Sequence, residues 1–206
     1  MKTATSTATT AATAKAKAAK SAATAKAKKQ APRVAARMGS TPVTKFRGNP
    51  DIFGRLVEDH DHHRALFAMV CATKGDSKDR QRLFKTLVLE IKSHAAAEEQ
   101  ALWSTVMRNP KTTDDARHAV GEHKEMDKML ADLAARDMGK GSWLRRFEKA
   151  RDEYLHHIRE EEQKQFKAAE KHLSTTDIRH MKQVFNRRKA AEKAVARVEK
   201  KIRLKE

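Results

Sequence analysis

The chain has 206 residues, enough for one ordinary domain with tails, and its 45 basic and 27 acidic residues give a formal charge of +18. Seven glycines and four prolines are too few for a β-sandwich or barrel rich in turns, and no apolar run approaches the ~20 residues of a membrane-spanning helix. The single cysteine, Cys71, excludes a disulfide framework or a thiolate zinc site and is consistent with a reducing, cytoplasmic compartment.

The positive charge lies at the two ends of the chain. Residues 1–50 contain eleven basic residues and no acid, residues 181–206 contain ten basic and three acidic residues, and residues 51–180 are neutral overall. The first 37 residues are almost all Ala, Thr, Lys and Ser, whose apolar surface is too small to offset the entropy lost on ordering. We therefore predict a disordered basic tail, which a linker joins to the rest of the chain.

The lysines of this tail suit contacts with nucleic-acid phosphates. The Ala-Lys composition resembles the arms of linker-histone-like nucleoid proteins, which would bind DNA or RNA without sequence preference and with strong salt dependence. Organelle transit peptides share the acid-free composition, but the dominance of Lys over Arg favours a nucleic-acid tail and a nucleoid-associated location. The predicted phosphate contacts are Lys15, Lys17, Lys20, Lys26, Lys28 and Lys29.

From residue 51 onward the sequence predicts helices and no strands. Capping residues open each stretch of helical apolar spacing, and Gly, Asn or Pro close most of them. The loops between the first four helices are short, which favours antiparallel packing of neighbours. The predicted helices cover about 51–73, 76–108, 112–138, 142–173 and a last stretch that begins after 174–177.

These elements predict an all-α fold in three parts. A disordered basic tail and linker cover residues 1–50, an up-down-up-down four-helix bundle covers 51–173, and an extra basic C-terminal helix covers 174–206. Apolar residues follow the last helix at helical spacing, so it can pack on the bundle, pair with a second copy or lie on an anionic surface. We favour packing or self-association.

Polar residues interrupt the apolar stripe of each bundle helix. Every stripe contains a His, and in two helices an acid follows four residues later, as His94–Glu98 and His157–Glu161. Residues four apart lie about 5–6 Å from each other on one helix face. Buried imidazoles and carboxylates need partners, and an ion of iron, manganese or zinc would satisfy both. The alternative is that these residues line solvated helix faces.

Four stretches together resemble the hemerythrin family, in its bacterial branch of HHE cation-binding domains. Their order and spacing are similar to the family's over about residues 51–173. The stretches are DHDHHRALF (59–67), HAAAEEQALW (94–103), EHKEMDKML (122–130) and HHIREEEQKQF (156–166).

The resemblance implies a four-helix bundle that holds two iron ions joined by an oxo or hydroxo bridge, with manganese or zinc as alternatives. It also implies binding or sensing of oxygen, other small diatomics such as nitric oxide, peroxide, or iron itself. Two Glu would bridge the metal ions. Carried over by position, the implied ligands are His60, His94, Glu98, His123, His157 and Glu161.

Two residues depart from the family's pattern. His63 stands one turn after His60, where many members have an apolar residue; it is a further ligand, an outer partner of a ligand or a core His, and we favour the outer partner. Asp127 stands where the oxygen carriers of the family have a second His; it is a ligand or an exposed salt-bridging residue. Near them, Tyr154 is on the inward face, and we favour simple packing for it over hydrogen bonding to a ligand.

Motifs of common enzymes are absent from the sequence. It contains no His-Glu-x-x-His motif, no phosphate-binding Gly loop and no nucleophile elbow, and only Glu153–His156 fits the ferritin-type Glu-x-x-His spacing. We therefore expect a protein that binds or senses rather than an enzyme. The alternative is a nucleoid-associated or other nucleic-acid-binding protein for which the bundle is only a scaffold.

Overall fold

A computed structural model describes residues 44–203, with side chains through residue 196. Within that range the chain forms five helices and no strand, which confirms the predicted all-α class. The predicted tail, with the lysines expected to contact nucleic acid, lies outside the described residues.

The helices α1 to α5 follow one another through short loops. Two of them, α2 and α4, pass through a π-helical segment before they end. Every helix end that the sequence defined lies within four residues of its predicted position. In chain order the elements are α1, Ile52–Cys71; α2, Lys78–Glu98, with its π segment Glu99–Trp103 and last turn Ser104–Val106; α3, Thr113–Ala134; α4, Gly141–Glu160, with its π segment Glu161–Gln165 and last turns Phe166–Glu170; and α5, Thr175–Arg203.

Side-chain caps fix where the first two helices begin. The carboxylate of Asp51 accepts a hydrogen bond from the backbone N of Gly54 at 3.1 Å, and the Ser77 hydroxyl accepts one from the backbone N of Arg80 at 3.1 Å. Gly54 also meets the preceding loop, because a Cβ at this position would lie 2.1 Å from the carbonyl oxygen of Asn49. Only glycine allows so close an approach of loop and helix.

The buried core consists of two apolar clusters at different levels of the bundle. One contains Phe67 and Phe147, whose ring centroids are 5.4 Å apart, and the other contains Phe53 and Phe166, with centroids 5.5 Å apart. Along each of the four bundle helices, the predicted metal-ligating positions fall between the residues of these two clusters. The bundle therefore holds a polar layer between two apolar ones.

The π segment of α4 changes which residues face the core. A regular helix predicts that the inward stripe runs from Gln165 to Ala168; Gln165 is buried, but Phe166 is buried beside it, and Ala169 is buried where Ala168 is only partly so. The wider π turn holds one more residue, which rotates the following turns by about one position. The inward stripe thus resumes one residue later than the sequence predicts.

Helix α5 packs on the bundle, which is one of the placements that we favoured. It contacts α1, α2 and the π segment of α2, and it buries Met181, Phe185 and Lys189 there. None of the helices in residues 44–203 is both long enough and apolar enough to cross a membrane.

Candidate metal centre

Four helices bring five imidazoles and two carboxylates together in the polar layer. The side chains of Glu98 and Glu161 are fully buried, and the imidazoles are almost completely so. All six residues that the resemblance implied as ligands belong to this cluster, and His63 joins them. The imidazoles are His60 and His63 of α1, His94 of α2, His123 of α3 and His157 of α4.

The five imidazoles form two groups. The ring centroid of His94 is 5.0 Å from that of His60 and 5.2 Å from that of His63, so these three make one group. The rings of His123 and His157 are 5.0 Å apart and make the other. The cluster is thus divided into a three-imidazole side and a two-imidazole side.

Each buried carboxylate lies between the two groups. Oε2 of Glu98 is 3.5 Å from Nε2 of His94 and 3.5 Å from Nε2 of His123. Oε2 of Glu161 is 3.4 Å from Nε2 of His60, and its Oε1 is 3.4 Å from Nε2 of His157. Both carboxylates therefore connect an imidazole of one side with an imidazole of the other, the placement required of a bridging ligand.

The other ring nitrogen of every imidazole is already bound by an outer group. In four cases this group is a carboxylate, which can only accept, so Nδ1 carries a proton and, wherever the ring is neutral, Nε2 keeps its lone pair for the centre. The contacts are His60 Nδ1 to Glu162 at 2.8 Å, His94 Nδ1 to Asp59 at 3.1 Å, His123 Nδ1 to Glu99 at 3.0 Å, His157 Nδ1 to Glu122 at 2.9 Å and His63 Nδ1 to the Tyr154 hydroxyl at 2.6 Å.

The atoms that point to the centre lack hydrogen bonds. Nε2 of four of the imidazoles and all four oxygens of Glu98 and Glu161 are buried with no hydrogen-bond partner among the side chains and backbone that the structure describes, since their mutual contacts of 3.4–3.5 Å are too long or poorly directed. Buried polar atoms nearly always have partners, and an unsatisfied one costs about 1–3 kcal/mol. Cations that take nitrogen and oxygen ligands fit this set of donors. Ligand atoms of His123, His157 and Glu161 lie within 4.8 Å of one another.

The two central carboxyl groups have opposite pKa shifts. Burial raises the pKa of Glu161 well above its usual value, and the Glu98 carboxylate beside it raises it further. Burial acts in the same direction on Glu98, but the neighbouring imidazoles of His123 and His94 outweigh it and hold the pKa of Glu98 far below its usual value. Two carboxylates this close cannot both ionise easily without a cation between them.

The imidazoles also differ in their pKa values. Burial lowers the pKa of His60 to about 4 and that of His63 well below its usual value, so both rings are neutral, the form that binds metal. Burial would lower the pKa of His123 as well, but its contacts with Glu98 and Glu99 outweigh burial and raise the pKa to about 9.

The outer carboxylates were missed in the sequence, although each stands next to a predicted ligand. Asp59 and Glu122 directly precede His60 and His123, and the second acid of each Glu pair, Glu99 or Glu162, directly follows Glu98 or Glu161. Adjacency is a usable signal because consecutive helical residues diverge by about 100°, so the second acid reaches an imidazole on a neighbouring helix.

Tyr154 has a different role from the one we favoured. Its ring is buried as predicted, but its hydroxyl contacts Nδ1 of His63 at 2.6 Å, because a buried hydroxyl requires a polar partner. Burial raises the pKa of Tyr154 well above its usual value, and nearby carboxylates raise it further, so the phenol is neutral.

Asp127 is separated from the central cluster. Its side chain is 48% exposed, and its Oδ2 lies 3.5 Å from Nζ of Lys92, which matches the salt-bridging alternative. Among the remaining histidines near the centre, His62 is buried beside His63, whereas His118 and His156 are largely exposed.

A small cavity touches the centre at both imidazoles of the two-imidazole side and at His94 of the other side. Its volume is about 10 Å³, and its lining includes His94, His123, His157, Tyr154 and Met126. This space admits about one water-sized molecule. A wider groove of about 580 Å³ lies outside it between α3 and α4, and Met126 and His157 line both.

A helical bundle with a buried layer of His and Glu, each His oriented by an outer partner, belongs to the class of bundle proteins that hold metal cations between their helices. The sequence model of the hemerythrin HHE cation binding domain matches residues 51–169, and the chain belongs to this family. It thus carries a cation-binding domain, for which iron is the typical metal. No curated protein and no solved structure matches the chain.

Proposed function

We propose that the centre holds two iron ions and binds oxygen or a molecule of similar size, such as nitric oxide or peroxide. The observation that carries this proposal is the set of buried, unpartnered Nε2 and carboxylate atoms directed at one place. One ion would be bound by His60, His63 and His94 and the other by His123 and His157, with both Glu as bridges. Manganese or zinc would fit the same donors, and metal analysis distinguishes them.

The place of His63 among the ligands rests on its surroundings. Like the four other imidazoles, it is buried and its Nδ1 contacts an outer group; like those of His60, His94 and His123, its Nε2 has no hydrogen-bond partner among the described residues. If His63 were instead an outer partner of His94, one of its polar atoms would lie within hydrogen-bond distance of the His94 ring. Asp59 already has this role, at 3.1 Å from Nδ1 of His94. We therefore assign His63 to the metal ligands.

The chain's own residues would orient the ligands and restrict access. Asp59, Glu99, Glu122 and Glu162 hold a proton on Nδ1, so in each neutral ring the lone pair is on the inward Nε2; His123, whose pKa is about 9, would give up its Nε2 proton when a metal binds. The cavity beside Tyr154 admits only a molecule about the size of water, which favours diatomics and peroxide over larger ligands. When bound, iron supplies a redox couple and an open position for such a ligand.

The first prediction concerns metal content. We expect protein purified from aerobic, iron-supplied cells to contain two irons per chain and to show the charge-transfer absorption of a bridged ferric pair. His94→Ala, Glu98→Ala and His157→Ala each remove a donor that nothing else replaces, so we expect content below one iron per chain in each. The measurements are elemental analysis and the absorption spectrum.

Asp127→Asn is the matched control for these variants, because Asp127 borders the same cavity but its carboxylate is directed to Lys92. We expect it to keep two irons and an unchanged spectrum. If the three ligand variants also keep two irons per chain, the proposed centre is wrong.

Nucleic-acid binding by the tail is a second candidate function, favoured by the charge distribution: eleven basic residues and no acid in residues 1–50, against a neutral 51–180. We expect the full chain to bind duplex DNA with an affinity that falls steeply with salt, and deletion of residues 1–37 to reduce binding at low salt at least tenfold. Fluorescence anisotropy over a salt series measures both. Equal affinity and slope after the deletion would contradict a role for the tail.

A further inference from the structure

Helix α5 lies outside the region matched by the family, which ends at residue 169, yet it reaches the metal centre. The ring of Phe185 packs edge-on against His94, with 5.5 Å between centroids. The guanidinium of Arg55, from α1, also packs over the Phe185 ring, 5.4 Å from its centroid. The C-terminal helix thus covers the three-imidazole side of the centre.

One turn further along α5, a lysine enters the same region. Lys189 is only 4% exposed, and burying an ammonium group is costly unless carboxylates compensate its charge. Two carboxylates do so: Nζ of Lys189 contacts Oδ2 of Asp59, and it lies 3.1 Å from Oε2 of Glu90.

The contact with Asp59 links this lysine to a proposed ligand. The oxygen that meets Lys189, Oδ2 of Asp59, also accepts the hydrogen bond from Nδ1 of His94 at 3.1 Å. The other oxygen, Oδ1, accepts from Arg55 at 2.6 Å. Lys189, Asp59 and His94 therefore form a continuous chain of contacts from α5 to the centre.

The outer carboxylates on the two sides of the centre differ in whether they contact a Lys or Arg side chain. Behind His94 and His60, Asp59 contacts Lys189, and Glu162 accepts from the buried Arg64 at 3.0 Å. Glu99 and Glu122, behind the two-imidazole side, form no ion pair with a Lys or Arg of residues 44–196. An outer carboxylate makes its imidazole a stronger donor, which favours the more highly charged state of a metal, and a cation on that carboxylate weakens this effect.

We propose that Lys189 is a positioning residue that lowers the preference of the centre for ferric over ferrous iron, acting through Asp59 and His94. This inference rests on the proposed iron centre. Removing the charge of Lys189 leaves Asp59 a stronger acceptor for His94 and removes a positive charge near the metal. Both changes favour ferric iron, so they have the same sign.

The test compares two lysines of one helix that carry the same charge. We expect Lys189→Met to keep two irons per chain while the ratio of ferric to ferrous affinity rises about tenfold, which lowers the midpoint potential by about 59 mV for a one-electron couple. Lys193→Met is the control: of the carboxylates in residues 44–196, Nζ of Lys193 contacts Glu90 alone, at 2.7 Å from both oxygens. The shift in midpoint potential for Lys193→Met should be less than a third of the shift for Lys189→Met. The variant Lys189→Arg should recover at least half of the potential lost in Lys189→Met.

Two further results separate the possible failures. Wild-type protein without iron overturns the proposed function itself, whereas wild type with two irons and equal potentials for Lys189→Met and Lys193→Met overturns only this inference. If Lys189→Met does not fold, the variant Glu90→Gln tests the proposal in its place. It removes the competing partner of Lys189 near the protein surface, so we expect the potential to rise; a fall or no change contradicts the proposal.

Discussion

Removing the metal with a chelator is expected to lower the melting temperature by about 10 °C. A ligand at 1,000 times its dissociation constant stabilises the folded state by about 4 kcal/mol, and each kcal/mol is worth roughly 2–4 °C for a domain of this size. The physical reason is the centre itself, where eight carboxylate and imidazole atoms lose their only good partner. Thermal unfolding followed by circular dichroism, with and without the chelator, measures the difference.

His94→Ala provides the control for this experiment, because a protein that cannot fill the centre has no metal-dependent stability to lose. Its melting temperature should be the same with and without chelator. A wild-type protein that loads two irons and melts at one temperature in both conditions would show that the buried donors do not bind the metal.

Glu161→Gln should separate metal binding from fold stability. We expect a fall in metal affinity of at least 100-fold, because an amide replaces the carboxylate that we propose as a bridge, and substitution of an outer residue alone typically costs 10–100-fold. In the metal-free state, stability should stay within about 1 kcal/mol of the wild type, since burial and Glu98 raise the pKa of Glu161 and so favour its neutral form, and the neutral amide that replaces it can also donate to Glu98. Chelator competition and metal-free thermal melts measure the two quantities.

Glu160→Gln is the matched control one residue away. Its carboxylate contacts His118 at 3.3 Å on the surface, so the same chemical change should leave metal affinity unchanged. A purely structural role for Glu161 would give the opposite pattern: metal-free melting several degrees lower and metal affinity intact.

The positions of the central residues could be predicted because helical periodicity places residues i and i+4 on one face. His94 and Glu98, or His157 and Glu161, share a face in any regular helix, and the apolar residues at the same spacing favour the interior for that face. The protonated nitrogen of each imidazole could not be predicted, since it depends on side chains from another helix. His123 and Glu99, for example, meet only once α2 and α3 are packed.

Helix α5 shows a second limit of the sequence. Its apolar spacing fits packing on the bundle, pairing with a copy or contact with an anionic surface equally well, because periodicity identifies a buried face but not what covers it. In each of these three placements, the sequence alone would predict a solvent-exposed Lys189. Its burial against Asp59 becomes visible only when the position of α5 across α1 and α2 is known.

The π segments of α2 and α4 make the number of residues in this part of each helix critical. At the start of each segment, both acids of the pair Glu98–Glu99 or Glu161–Glu162 must reach one imidazole, His123 or His60, at its two ring nitrogens. At its end, the buried rings of Trp103 and Phe166, with centroids 6.3 Å apart, must face the interior. A uniform α-helix advances 100° per residue and cannot meet both demands in the same number of residues. Shortening either segment by a single residue would rotate Trp103 or Phe166 out of the interior by about 100°. Water would then reach the polar layer, although every proposed ligand was still present.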